Sequence, residues 1–357
     1  MRIANACGGP GLVAIFALAM LAGCSSSSLQ QPMSSAQTWR AGAQAGQNEG
    51  LQKPRFIGDR GTQRAAGPVG AISRRTFMSP GAVGKPLIFV SDGYATVNIY
   101  LQAGKHKRVG WITGLSSPTG LATDTAGNLY IATTPFSGNP SLVVYAPPYT
   151  GAPALTLDVG GNAPFGIAVS TRGVVGVASF FNNTLRLYAK GATEPCVTLN
   201  PTDFVQIAYD AFDDKGNLYI DGYGSSKVLV AEVKHGCKAT TVMPLTTGNT
   251  IGYPESVQID KADRIAILDG ANAVIDTYKR PNNGALGNPV SNTPLMGLTG
   301  SIPAYSFTFL ASGRDIWVGD GNGQASNFDY PSGGASEQTI VGGGFPYGIA
   351  VTPPLRP

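Results

Sequence analysis

Charge is scarce in this sequence. Asp, Glu, Lys and Arg together make up 13% of 357 residues, and there are only two histidines. A helical protein of this length would need more Glu, Lys and Leu. Nucleophile elbows, phosphate loops and zinc-ligand spacings are all missing. The apolar run at 12–21 (LVAIFALAML) is too short to cross a bilayer as a stable helix. What the chain has in quantity is Gly (48) and Pro (26), the signature of many short strands joined by tight turns.

The first residues read as an export signal. Arg2 supplies a short positive region, the apolar run follows, and Leu21-Ala22-Gly23-Cys24 resembles the lipobox of bacterial lipoproteins. That resemblance implies a signal peptide over 1–23 and acylation of the Cys24 thiol, so that membrane lipid is the first expected partner. It also implies an extracytoplasmic, lipid-anchored address. In a diderm bacterium the address is the outer membrane rather than the inner, because Ser25 stands where Asp would favour inner-membrane retention.

Residues 24–85 read as a lipidated, largely disordered tether rich in Ser, Gln, Gly and Ala. Eight Lys/Arg against Glu49 and Asp59 give it a net charge of +6, whereas residues 86–357 carry −3. The basic balance therefore belongs to the tether, which suits anionic lipid or simple solvation. A mildly acidic domain in this compartment excludes nucleic acid as a partner.

A repeat then decides the fold. PTGLATDTAGNLYIA at 118–132 recurs as PFGIAVSTRGVVGVA at 164–178, IAYDAFDDKGNLYI at 207–220 and PESVQIDKADRIAI at 254–267. A fifth copy spans 303–318, and PYGIAV at 346–351 stops after its first strand. The spacing suits one four-stranded propeller blade per copy. In each copy an apolar strand leads through a tight turn, Asp-x-x-Gly-Asn at 124–128 and 213–217 and variants of it elsewhere, into a second alternating strand. Residues 86–112 hold three strands with no leading copy, and 346–351 hold the leading strand alone. The expectation is an all-β, six-bladed β-propeller over 86–357, with 3+1 closure of the first blade by the C-terminal strand. This repeat resembles that of the NHL and gluconolactonase-like six-bladed propellers.

Strand direction collects one set of loops on one face. Four of those loops begin Asp-Gly, at Asp92, Asp221, Asp269 and Asp320, and Glu255 opens an inner strand between them. Tyr94, Tyr223, Tyr253, Tyr305 and Tyr347 belong to the same mouth. The resemblance to gluconolactonase-like enzymes implies a Ca2+ or Mg2+ site built on carboxylates, with Glu255, Asp269 and Asp221 as candidate ligands. Asp-Gly is equally plain turn chemistry. The chain also departs from that family in having no Glu within 86–112 and no equivalent of its ligand Asn. His106 and His235 fall in hairpins on the opposite rim, so the His-dependent propeller enzymes are poor models.

Cys196 and Cys237 remain once Cys7 and Cys24 are assigned to the signal and the anchor. An oxidising compartment favours a disulfide. Equivalent outer positions in adjacent blades argue against one, because a bridge needs Cα atoms within about 7 Å. Function reads as a binding or scaffolding propeller that takes a protein, peptide or glycan at the loop face. The alternative is a metal-dependent lactone or ester hydrolase.

Overall fold

The computed structural model describes residues 74–134, 140–160, 163–225, 227–298 and 304–355. The signal, Cys24 and the tether as far as residue 73 lie outside the described residues. The remainder is all-β, with six antiparallel sheets arranged as the blades of a propeller.

Blade 1 closes the ring. Ile349–Thr352 from the C-terminus is its innermost strand, hydrogen-bonded to Leu87–Ser91, which is followed outward by Val97–Leu101 and Arg108–Thr113. Blade 2 begins at Pro118–Thr123, blade 3 at Pro164–Val169, blade 4 at Gln206–Phe212, blade 5 at Pro254–Ile259 and blade 6 at Ala304–Phe309. Each of these is an innermost strand, and each blade then runs outward in chain order.

The sheet of blade 1 begins earlier than the tether boundary drawn from the sequence. Arg75–Met78 adds a fifth, outermost strand, pairing Arg75 with Thr113 and Met78 with Gly110. Phe77 stacks on Trp111 with ring centroids 4.5 Å apart. This strand covers what would otherwise be an open sheet edge. Its sequence, RTFM, alternates too briefly to stand out from the polar segment before it.

The turn between the first two strands of a blade is closed by the repeat's own side chains. Asp124 Oδ1 accepts from the Ala126 and Asn128 amides, Asp213 Oδ1 from the Asn217 amide, and Asp260 Oδ1 from the Ala262 and Arg264 amides. The fourth turn position is left-handed in these turns: Gly127 has φ 83°, Gly216 has φ 86° and Asp263 has φ 60°. Gly adopts that region without penalty, and Asp is among the few other residues that tolerate it.

Inner and second strands are buried on both faces, where Ile88, Phe89, Ile131, Val177, Ile220, Ile267 and Val318 are fully or almost fully covered. Each such side chain contributes about 1.5–3 kcal/mol of burial. The blades are also strapped around the rim, because the loop before each outermost strand in blades 4, 5 and 6 reaches back to the preceding blade. Ala285–Gly287 of blade 5 pairs in parallel with the outer strand Met243–Thr247 of blade 4. Gly334–Ala335 of blade 6 pairs likewise with Ser291–Met296 of blade 5. From blade 4, Cys237 forms a disulfide with Cys196 beside the outer strand of blade 3, with Cα atoms 5.4 Å apart. The short 3-10 turn Gly236–Lys238 carries Cys237 across the gap that blade geometry alone would leave.

Candidate functional site

The loop face is made by the starts of the innermost strands and by the loops between second and third strands. Three of the four Asp-Gly aspartates serve those loops. Asp92 Oδ1 accepts from the amides of Tyr94, Ala95 and Thr96, and Asp320 Oδ1 from those of Asn322 and Gln324. Asp269 accepts from the amides of Gly252, Tyr253, Ala271 and Asn272 and from the Asn272 side chain.

Asp221 behaves differently. It is wholly buried, its Oδ1 accepts from the Tyr209 amide at 2.8 Å, and its Oδ2 has no hydrogen-bond partner. Burial holds its pKa well above the usual carboxylate range.

The innermost strands of blades 2 to 6 all slip register at their loop-face ends, in blade 3 across Phe165, and three of these β-bulges aim the centre of the site. These three fall between Ile207 and Asp210, between Pro254 and Ser256, and between Ala304 and Ser306. Tyr209, Glu255 and Tyr305 sit in these slips, where a strand bends and re-aims its side chains. Glu255 is 2% exposed and its Oε1 has no hydrogen-bond partner. Desolvation first, then the charges of Asp221 and Asp269, push its pKa well up, and the Tyr223 hydroxyl offsets part of this. The Glu255 charge bears in turn on the hydroxyls of Tyr209, Tyr253, Tyr305 and Tyr347, so its carboxyl lies among five tyrosines. Burial, then Glu255 and Asp320, push Tyr305 up to about 12.

Around this centre the rings make an unbroken chain of contacts. Tyr94 meets Phe345, which stacks on Tyr347 at 5.8 Å. Tyr347 meets Tyr305 at 5.1 Å and Phe165 at 5.5 Å. Phe165 packs on Tyr209 and Phe180, and Phe180 on Phe181 and Tyr223, which meets Tyr253 at 6.3 Å. Tyr94, Tyr223, Tyr253, Tyr305 and Tyr347 all belong to this chain of contacts. The sequence reading missed Phe165, Phe180, Phe181, Phe345 and Tyr209, none of which carries a polar pattern that marks it as a loop-face residue.

It also missed Asp210. This residue is 3% exposed, and burial pushes its pKa up to about 8, an effect the Ala168 amide offsets only in part. The carboxyl lies in a slot left by Gly166 and Gly176 of blade 3; a Cβ on Gly166 would stand 2.9 Å from Oδ1. Asp210 also lines a cavity of about 120 Å³ at the opposite end of the channel, with Gln258, Thr308 and Leu355. The available signal was a departure from the repeat, since the aligned positions hold Leu121, Ile167, Val257, Phe307 and Ile349.

The candidate cation ligands do not converge. Among the described residues no group of three or more His, Cys, Asp or Glu side chains is placed to hold a metal ion. Asp269 is committed to its loop, and Asp221 Oδ1 to the Tyr209 amide. Both histidines lie on the opposite rim as expected. His106 Nδ1 is 3.0 Å from the Leu101 carbonyl oxygen and its ring meets the edge of Trp317, while His235 opens the turn before Cys237.

Fold and mouth together define a six-bladed β-propeller with an aromatic-lined loop face. No family model matches the sequence, and no curated protein matches it. Among solved structures, a functionally unknown protein from Desulfotomaculum acetoxidans DSM 771 is similar at 14% identity with a TM-score of 0.51, over 79% of this chain and 89% of that one. Virginiamycin B lyase from Staphylococcus aureus is similar at 10% identity with a TM-score of 0.48, over 72% of this chain and 85% of the lyase. Identities this low speak to the fold alone.

Proposed function

We propose that this chain is a non-catalytic binding propeller. It is held by acylated Cys24 on the extracytoplasmic side of a membrane, the outer membrane in a diderm bacterium, and takes a protein, peptide or glycan on its loop face. On its repeat it stands beside the NHL and gluconolactonase-like propellers. The observation that carries this reading is the unbroken chain of aromatic contacts around the mouth. Tyrosine offers a large, stiff, amphipathic contact area at small entropic cost. Tyr94 is 60% and Phe181 37% exposed, so the rings continue from the buried centre to the surface.

Asp92, Asp269 and Asp320, committed to loop amides, support recognition by holding the loops that carry the rings, and among the described residues the carboxyls form no convergent ligand set. Screening the full, detergent-solubilised chain against peptide and oligosaccharide arrays tests the reading. Binding that weakens about tenfold or more in Tyr347→Ala and Tyr253→Ala supports it. Arrays blank for the native chain, or hits indifferent to both substitutions, would sink it. For the anchor, Cys24→Ala is expected to abolish incorporation of labelled fatty acid and release the chain from the membrane fraction.

A further inference from the structure

Positive charge is distributed unequally between the two faces of the propeller. By sequence, the segments that form the loop face carry Asp92, Asp203, Asp221, Glu255, Asp269 and Asp320 and a single lysine, Lys227. The connections on the opposite rim hold Lys105, Lys190, Lys215, Lys261, Lys279 and Arg280. The ion pairs of the described residues follow the same division: Lys234–Glu232, Arg264–Asp260, Arg280–Asp213 and Arg280–Asp263 all belong to that rim.

Of the cations nearest the loop face, Lys227 is exposed at its edge, Arg186 lies against Gly160 further out, and Arg75 pairs with Thr113 on the outermost strand of blade 1. None of the three is among the groups that act on Glu255. The mouth thus combines an almost completely buried carboxyl, one of whose oxygens has no hydrogen-bond partner, with a wall of electron-rich rings and no cation of its own. Buried carboxylates are ordinarily paired. Aromatic faces attract cations through their quadrupole, by about 2 kcal/mol or more once desolvated.

Building on the binding function above, we propose that the mouth recognises a basic side chain, the ammonium of Lys or the guanidinium of Arg, presented by a peptide or protein ligand. The group enters among Tyr223, Tyr253, Tyr305 and Tyr347, and its charge pairs with Glu255. Acidic ligands are disfavoured by Asp269, whose charge already bears on Glu255, and by Asp320, whose charge bears on Tyr305 at the same mouth. The titratable groups facing Glu255 are Asp221, Asp269, Tyr209, Tyr223, Tyr253, Tyr305 and Tyr347. None of them is cationic, and together with burial they favour its protonated form. Seating a cation therefore drives a proton off Glu255, and affinity rises with pH until the carboxyl is ionised in the free protein.

The test is calorimetric titration of the full chain in detergent with capped tripeptides Gly-Arg-Gly, Gly-Lys-Gly, Gly-Gln-Gly and Gly-Glu-Gly. The expected result is saturable binding of the Arg and Lys peptides, about tenfold or more tighter than Gln, with Glu weakest. Repeating the titration in buffers of different ionisation enthalpy should reveal proton release. Glu255→Gln should abolish both the preference for basic peptides and the proton release. Should that variant fail to fold, Tyr253→Leu at the half-exposed edge is expected to weaken the Arg peptide about tenfold.

Equal binding of Arg and Gln peptides, a preference that survives Glu255→Gln, or no binding of either basic peptide would each overturn the inference. If basic peptides fail while the peptide or oligosaccharide arrays give Tyr347-dependent hits, the binding function stands without it. Blank arrays would remove both.

Discussion

The Tyr209 hydroxyl donates a 2.9 Å hydrogen bond to the carbonyl oxygen of Tyr347, joining blade 4 to the strand that closes blade 1 on the far side of the ring. Tyr209 is 6% exposed and burial holds its pKa well up, so it remains a donor throughout the accessible pH range. It acts as a crossbar beneath the mouth. Tyr209→Phe keeps the ring contacts with Phe165 and leaves the Tyr347 carbonyl without this donor. The expected cost is about 1–2 kcal/mol in urea unfolding. An unchanged midpoint would show that the crossbar bears no load.

Asp210 gives stability a pH dependence of known sign. Its pKa of about 8 in the folded chain lies above the unfolded value of about 3.9, so the folded state holds the proton more tightly. Its contribution is fully present below the unfolded pKa and is lost as pH rises towards 8. Asp210→Asn keeps the shape without the titration, so the advantage of the variant over the native chain should grow between pH 5 and pH 8, reaching about 1–3 kcal/mol. Parallel stability curves for the two proteins would refute the assignment. Asp221 and Glu255 titrate in the same sense, which is why the difference between variant and native chain is the quantity to measure.

Gly176 and Asp210 form a matched pair across the interface of blades 3 and 4. Where blade 3 has Gly176, the repeat has Tyr130, Tyr219, Ala266 and Trp317 elsewhere. Gly176→Ala drives a methyl into the Asp210 carboxyl and is expected to cost about 1–3 kcal/mol. Combining it with Asp210→Ala should recover most of that cost, because the double change empties the slot it overfills. Simple additivity in the double-mutant cycle would mean the two residues are not coupled.

The disulfide replaces a β-strap. Cys196→Ser with Cys237→Ser is expected to lower stability by about 2–4 kcal/mol, because the bridge closes a loop of 41 residues. Reductant should produce the same shift in the native chain and none in the double variant.

Arg75–Met78 belongs to the folded domain. A chain starting at residue 86 loses this strand, uncovers Trp111 and leaves Arg108–Thr113 as an open edge. It should unfold earlier than a chain starting at residue 74 and self-associate at high concentration, which light scattering detects. Identical behaviour of the two would return the strand to the tether.

The architecture was legible because the repeat and the split first blade are properties of order along the chain. Five tyrosines, four Asp-Gly loops and Glu255 could be placed on one face for the same reason. The site's detail depends on quantities that order does not carry. A bulge adds no recognisable residue, so nothing in IAYDAF or PESVQI marks Tyr209 and Glu255 as re-aimed. Four Asp-Gly pairs look alike, yet only Asp221 turns its carboxyl inward. Phe165 and Phe345 resemble core residues until their neighbours in space are known. The rim straps of Ala285–Gly287 and Gly334–Ala335 are two or three residues of low β-propensity, below the reach of any pattern.

The fifth strand of blade 1 has a mechanical consequence. Among the described residues it is the first element a force entering from the N-terminal side would meet, and it lies on the outside of a sheet whose innermost strand comes from the C-terminal side. Pulling from that side opens the pairs from Arg75–Thr113 to Met78–Gly110 one after another, as a zipper, and leaves the pairing of Ile349–Thr352 with Leu87–Ser91 untouched at that stage. Single-molecule extension should therefore record a small, reversible yield before the ring ruptures: a fuse that peels open under load and reseals when the pull is released.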